Sequence, residues 1–149
     1  MAALRYLTVQ DVIWLNHQVL QRGSPFRALE LEEAVNHQYG YGGSGDLLGQ
    51  AGLLLAGLLR IKPFEEGNQR TALLACASFL SLNGKALELT PDLAARVRQV
   101  GGGEDGVAMV KGLARDAAVE AIGVEEAARD AQAALQPALE ALAPVASSG

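Results

Sequence analysis

A dense polar cluster, KPFEEGNQR at residues 62–70, lies directly before an apolar stretch that runs to Leu82. Gly67 allows the backbone to approach a ligand closely, and the stretch after it has the spacing of a buried helix. The first N–H groups of a helix have no partner within that helix and carry partial positive charge. Such a helix start binds anions, phosphates above all, so the cluster favours a phosphate site.

The side chains of the cluster extend this interpretation. Asn68 and Arg70 add hydrogen-bond donors, and a guanidinium can hold phosphate oxygens in bidentate fashion. Glu66 offers a hard oxygen ligand, which suits Mg²⁺ bound by few protein ligands together with phosphates. A purely structural alternative fits the same spacing. In it Asn68 caps the helix, Glu66 favours its dipole, and Arg70 pairs with Glu66.

The stretch KPFEEGNQRTAL resembles the signature loop of the Fic/Doc (Fido) superfamily. That motif reads His, Pro, Phe, any residue, Asp or Glu, Gly or Ala, Asn, Gly or Lys, Arg. The resemblance covers residues 6–115 and includes YLTVQDVIWLNHQVL near the start. Leu73 stands where the Fic branch carries a second arginine, so we favour the death-on-curing (Doc) branch. The matching motif residues are Pro63, Phe64, Glu66, Gly67, Asn68 and Arg70.

This resemblance implies a helical domain that binds a nucleotide at the loop. Members of the family transfer AMP, or in the Doc type a phosphate, from ATP to a hydroxyl side chain of a target protein, and many are toxins paired with an antitoxin. We therefore expect ATP and magnesium as cofactors, and a protein target and an antitoxin or regulatory protein as partners. By resemblance, Glu66 would hold magnesium, Pro63 and Phe64 would anchor the loop, and the phosphates would contact Gly67, Asn68, Gln69 and Arg70.

Two positions depart from the family pattern. Lys62 replaces the histidine that acts as general base, and a lysine in water is charged at neutral pH and has no lone pair to offer. Nearby phosphates favour that charged form, so Lys62 is expected to bind phosphate rather than to accept a proton. Gln69 replaces Gly or Lys and keeps a donor without the charge. His17 and His37 are the chain's only histidines, and a surface or hydrogen-bonded role is the simpler interpretation of both.

Three functions are compatible with these residues. We favour a degenerate family member that still binds a nucleotide, because the phosphate-binding residues are present and the base is not. The first alternative is an active AMP-transferase or phosphotransferase, the toxin of a toxin–antitoxin pair, that uses an altered base. The second alternative is an interaction scaffold without catalysis, which would not require those residues to occur together.

Composition limits the remaining possibilities. The chain has 149 residues, 50% of them hydrophobic, and a formal net charge of −5, which argues against a nucleic-acid binder. Cys76 is the only cysteine and lies in an apolar run, so it is expected in the core. The stretch 47–59 contains glycines and is shorter than the roughly 20 residues that span a membrane. The start of the chain lacks a signal-peptide pattern, and we expect a cytoplasmic protein.

Capping residues and glycines divide the chain into helices, and no stretch predicts a confident strand. Thr8 and Asp11 form a capping box, Asp46 caps a helix that is apolar nearly all round, and Asn83-Gly84 ends the helix of the motif. We predict an all-α, Fic/Doc-like bundle around a central buried helix pair, with a domain over 1–117 and an alanine-rich extension over 118–149 packed on it. The predicted helices cover residues 8–23, 27–37, 47–60, 68–82, 91–100, 107–117 and 118–143. Gly23 and Pro63 mark ends, Pro91 marks a start, and the last helix is expected to kink or end at Pro137. The stretch YGYGGSG at 39–45 is predicted to form a loop.

Overall fold

The structure is a computed structural model, and it describes residues 3–40 and 45–144. Within these ranges the chain forms seven α-helices and one antiparallel pair of three-residue strands, so the all-α prediction is confirmed. A 3₁₀ turn, His37–Tyr39, follows the second helix, and residues 41–44 of the predicted glycine loop lie outside the described residues. The helices are α1 (Val9–Leu20), α2 (Ala28–Asn36), α3 (Leu47–Ile61), α4 (Asn68–Leu82), α5 (Leu93–Gly101), α6 (Gly106–Leu113) and α7 (Val124–Leu142), and the strands are β1 (Lys85–Leu87) and β2 (Ala114–Asp116).

Helices α3 and α4 form the centre of the molecule. Every residue of α4 from Thr71 to Leu80 is buried, Cys76 among them, and most of α3 is buried as well. Helix α1 packs on α4, α2 and α6 pack on α3, and α7 covers another side of α4. Gly52 of α3 lets α6 approach closely, since a Cβ there would lie 2.5 Å from the Cα of Val107. The prediction of a central buried helix pair is confirmed.

Local capping signals place the helix starts well. Thr8 and Asp11 form the predicted capping box. The N–H of Thr8 donates to Oδ2 of Asp11 at 2.8 Å, and the N–H of Asp11 donates to Oγ1 of Thr8 at 3.0 Å. The Asp46 carboxylate accepts a hydrogen bond from the N–H of Gly49 at 3.2 Å. The predicted end of α1 is wrong. The helix stops at Leu20, because Gln21 adopts a left-handed conformation (φ 58°) two residues before the expected end at Gly23.

Two other boundaries differ from the prediction. Lys62, rather than Pro63, closes α3, with φ 51° and its N–H bonded to the carbonyl oxygen of Leu58. Pro91 is not the first residue of α5, since it lies in a turn in which the N–H of Leu93 bonds to the Thr90 carbonyl oxygen at 3.1 Å. Proline lacks the N–H that a continuing helix needs, which makes both prolines good markers of a break but poor markers of its position.

The strands are a second correction. Residues 114–116 were expected to continue a helix, and they instead pair antiparallel with residues 85–87. In this register Lys85 lies opposite Asp116, and their side chains form an ion pair. A three-residue strand is too short to show alternation of apolar and polar residues, so its sequence carries no strand signal.

Within the described part of the alanine-rich extension, α7 is a single helix that continues through Pro137 and does not end there. Its buried face, with Ala127, Ala131 and Leu135, packs against α4, and its later part packs against α5. Residues 118–123 are not helical, and the division of the chain at residue 117 stays a prediction. None of the described helices combines the length and hydropathy needed to cross a bilayer.

Candidate functional site

The motif opens into a cavity of about 610 Å³ at the start of α4. The end of α1, the beginning of α4, one side chain of α5 and the end of α7 form its walls. We call this cavity the motif pocket. Four cationic side chains and one carboxylate line it, although the whole chain carries a net charge of −5. These charged residues are Arg22, Lys62, Arg70, Arg98 and Glu66.

Gly67 gives the pocket its open helix start. It occupies the N-cap position of α4 with φ 78°, and no side chain caps the helix. A Cβ at this position would lie 3.1 Å from the Leu20 side chain and 3.3 Å from Nδ2 of Asn16, so both conformation and space favour glycine. Residues 67–70 line the pocket, and the uncapped first turn of α4 therefore faces the place where an anion would bind.

Asn68 holds the loop in shape and does not cap the helix. Its Nδ2 donates to the carbonyl oxygen of Phe64 at 2.7 Å, and its Oδ1 accepts from the N–H of Phe64 at 3.0 Å. Phe64 is 4% exposed and packs edge-on against Phe26, while Pro63 is buried beside it. Because these two bonds leave one donor hydrogen of Nδ2 unused, Asn68 could contact a phosphate through that hydrogen as well as through its backbone N–H.

Glu66 pairs with Arg22, a residue that sequence reasoning could not place. Its backbone is fixed as well, since its N–H donates to Oγ of Ser24 at 3.1 Å and its carbonyl oxygen accepts from Nδ2 of Asn16 at 3.0 Å. Arg70 does not make the pair with Glu66 that the structural alternative requires. Its Nη1 donates instead to the carbonyl oxygen of Val19 at 2.9 Å.

The surroundings of Arg70 disfavour its positive charge, and a bound anion would stabilise that charge. Its partial burial lowers its pKa, the nearby Arg22 guanidinium lowers it further, and Glu66 acts in the opposite direction. A guanidinium stays charged in proteins under such influences. Two neighbouring cations that disfavour each other would both be stabilised by a phosphate placed between them.

Lys62 lines the pocket with an exposed side chain, and Arg27 fixes the backbone around it. Nη2 of Arg27 donates to the carbonyl oxygens of Ile61 at 2.9 Å and of Lys62 at 2.6 Å. The N–H of Arg27 also donates to the carbonyl oxygen of Pro63 at 2.9 Å, in a short antiparallel contact between residues 25–27 and 63–65. Lys62 is therefore held in place by its main chain, and its ammonium group points to no carboxylate that the described residues supply.

The chain's two histidines lie outside the wall of the motif pocket. Neither His17 nor His37 is among the described residues that line the motif pocket. The Nδ1 atom of His37 lies 2.8 Å from the carbonyl oxygen of Glu33, and its ring packs against Gly57 of α3. His17 is exposed on α1. Chemistry that needs a neutral imidazole at the pocket has no candidate among these two residues.

Magnesium fits the pocket only as part of a phosphate complex. The described residues contain no group of three or more side chains that would hold a metal by themselves. Glu66 is the one carboxylate among the described lining residues, and it is paired with Arg22. Mg²⁺ bound to substrate phosphates needs only one or two carboxylates, so Glu66 meets that limited requirement.

Besides Arg22, other residues in or behind the pocket wall were missing from the sequence-based prediction. Asn16 is 2% exposed and bonds through Nδ2 to the Glu66 carbonyl oxygen and to Oγ1 of Thr71, each at 3.0 Å. A polar residue on the buried stripe of α1 was the available signal for it. Arg98 of α5 and residues 142–144 after α7 enter the pocket through tertiary packing, and no local pattern marks them.

The described fold and pocket define a class of protein, a helical domain in which a polar loop leads into the start of a buried central helix. The sequence profile of the Fic/DOC family matches residues 6–80, half of the chain, from α1 through most of α4 and including the motif. This protein belongs to the Fic/Doc family. Comparisons with curated proteins and with solved structures gave no match.

Proposed function

We propose that this protein binds the phosphate groups of a nucleotide in the motif pocket and is a catalytically degenerate member of its family. The observation that carries the proposal is the charge of the pocket. Four cations and the uncapped start of α4 converge there in a chain that is acidic overall. Such a concentration of positive charge favours a polyanionic ligand.

Each lining group has a separate role in this proposal. The backbone N–H groups at Gly67, Asn68 and Gln69 would donate to phosphate oxygens, and Arg70 would bind them as a charged fork. Arg22, Lys62 and Arg98 add positive charge around the same cavity. Magnesium, when bound, would neutralise part of the phosphate charge, with Glu66 as its protein ligand.

Catalysis lacks a group that accepts the proton of a target hydroxyl. Lys62 stands at the position of the family's histidine, and phosphates in the pocket favour its charged form. The Glu66 carboxylate is paired with Arg22 and is the only other candidate base among the described lining residues. An active AMP-transferase or Doc-type phosphotransferase would have to release Glu66 from Arg22 first, and so we place this function second.

A protein partner is the remaining part of the proposal. Phe26 and Leu29, which are 41% and 78% exposed, lie just before and within α2 beside the segment that holds the motif loop. Apolar side chains exposed in this way are frequent in interaction surfaces. This surface would suit a target, an antitoxin or a regulatory protein in the cytoplasm, and it would serve equally in a scaffold that has lost the enzymatic activity.

Calorimetric titration with ATP and magnesium tests the phosphate site directly. We expect binding to the unmodified protein and a loss of at least about ten-fold in affinity for Arg70→Gln, since the variant removes a charge-assisted, bidentate contact. Arg129→Gln is the matched control, because Arg129 is exposed on α7 and lines none of the described cavities. Absence of binding to the unmodified protein, or equal affinities for both variants, would refute a phosphate site at the motif.

A further inference from the structure

A second groove adjoins the motif pocket. It lies between α1 and α7 and has a volume of about 350 Å³. Arg70 and Ala143 line both cavities, so the two are neighbours along one surface. We call this second cavity the glutamine groove. Cavities of roughly 300–1,000 Å³ are of the size that binds small molecules.

The chemistry of the groove differs from that of the motif pocket. Four glutamines line it, one from α1, one directly after α1 and two from α7. Its charged residues are one cation and one anion, Arg70 and Glu140. The lining is therefore neutral as a whole and rich in amide groups. A neutral moiety with several hydrogen-bond donors and acceptors fits such a surface better than a phosphate does. The glutamines are Gln18, Gln21, Gln132 and Gln136.

Two of these amides remain available for a ligand. Gln136 donates to Oε1 of Glu140 at 2.9 Å, and Gln21 donates to the carbonyl oxygen of Gln18 at 2.6 Å. The side chains of Gln18 and Gln132 are half-buried and make no hydrogen bond with any other residue in the described ranges. They face the groove from opposite helices, and each offers a donor and an acceptor.

We propose that the glutamine groove binds the nucleoside part of the nucleotide whose phosphates occupy the motif pocket. This inference rests on the proposed function and adds a specificity site to it. A glutamine amide can pair with the edge of a base through one donor and one acceptor, as it does with adenine in DNA recognition. Arg70 lines both cavities, and its Nη1 donates to the carbonyl oxygen of Val19 in the wall of the groove, so a ligand that spans the two cavities would contact it.

Helix α7 places half of this site outside the part of the chain that matches the family. The family match ends at residue 80, whereas α7 spans Val124–Leu142 and supplies half of the glutamines. The alanine-rich helix would thus have a role in ligand choice in addition to its packing on α4. An extended peptide is a different occupant for an amide-lined groove, and a nucleotide preference distinguishes the two.

The experiment compares nucleotides with inorganic tripolyphosphate, all titrated calorimetrically with magnesium into the full chain. Tripolyphosphate reports on the motif pocket alone, and ATP, GTP, CTP and UTP add the nucleoside. We expect at least one nucleotide to bind about ten-fold tighter than tripolyphosphate, the size of one good base contact. Gln18→Ala/Gln132→Ala should remove that preference and leave tripolyphosphate affinity unchanged, while Gln10→Ala on the exposed part of α1 should alter neither.

The outcomes separate the two proposals. Equal affinity for tripolyphosphate and every nucleotide, or a preference that survives in the double variant, would overturn the glutamine groove and leave the phosphate site standing. Failure of tripolyphosphate to bind, with a nucleotide that binds and is weakened by the double variant, would support the groove and count against the phosphate site. No binding of any probe would overturn both. Far-ultraviolet circular dichroism and thermal melting would establish that the double variant is folded.

Discussion

Replacing Gly67 by alanine should destabilise the protein by about 2–4 kcal/mol, of which the left-handed conformation accounts for about 1–2 kcal/mol. Gly67 has φ 78°, a conformation in which a Cβ collides with the following carbonyl oxygen. The rest comes from space. The added methyl would lie 3.1 Å from Leu20 and 3.3 Å from the amide of Asn16, which is itself fixed by two hydrogen bonds. Relief would require α1 to move away from the start of α4.

Gly84→Ala is the matched control for this substitution. Gly84 has nearly the same backbone angle, φ 83°, and its added Cβ would meet only the Glu120 side chain at 3.8 Å, an ordinary contact. It should therefore show the conformational part alone, about 1–2 kcal/mol. Urea denaturation followed by circular dichroism measures both, and an unchanged m-value would indicate that the unfolded states are comparable.

The comparison of the two variants tests the packing of Leu20 and Asn16 against Gly67. If Gly67→Ala destabilises the protein no more than Gly84→Ala, the close packing of Leu20 and Asn16 against the motif is not a constraint, and the argument from space is refuted. A larger effect for Gly67, together with weaker binding of tripolyphosphate, would show that the open helix start and the phosphate site depend on the same glycine.

Three further changes follow from other parts of the structure. Lys62→His should raise the transfer of label from ATP to proteins of a cell lysate. A label on the α-phosphate reports transfer of AMP, and a label on the γ-phosphate reports transfer of phosphate. Transfer no greater than that of the unmodified protein would count against a catalytically competent site. Asn16→Leu should lower the free energy of unfolding by about 1–3 kcal/mol, because it leaves the Glu66 carbonyl oxygen and the Thr71 hydroxyl without their shared donor. The control Gln10→Leu should change the free energy of unfolding by less than about 0.5 kcal/mol in the same denaturation assay. Burial raises the pKa of Cys76 to about 12, so its thiol should resist a thiolate-specific reagent at pH 8 until the protein is unfolded, and rapid labelling of the native protein would contradict the buried position.

The sequence predicted those elements whose signals are local. Helix α4 has the predicted bounds, because Gly67 precedes it and the pair Asn83-Gly84 follows it, and each fixes one end through backbone conformation. Capping by Thr8 and Asp46 was predictable for the same reason. The two short strands were not predictable, since three residues pair only because tertiary packing brings 85–87 beside 114–116.

The site was predictable only in part, for a related reason. The residues of the motif are contiguous, and their types and spacing suggested a phosphate site while leaving a purely structural role open. The partners that surround them come from distant positions. Arg22 forms its ion pair with Glu66 across 44 residues of chain, and Arg98 reaches the pocket from α5. Asn68 shows the opposite limitation, because its type suggested a cap or a phosphate ligand and its amide instead ties the loop to Phe64.

The hydrogen bonds from Arg27 to the last carbonyl groups of α3 affect the electrostatic potential in the neighbouring motif pocket. The last carbonyl groups of a helix carry partial negative charge, and α3 ends only a few residues before α4 begins, so two helix ends of opposite sign meet at the motif. Left bare, the carbonyl oxygens of Ile61 and Lys62 would weaken the attraction that the start of α4 exerts on an anion. Because the Arg27 guanidinium bonds to both, it offsets that negative end, and the local potential is set by the amide end of α4.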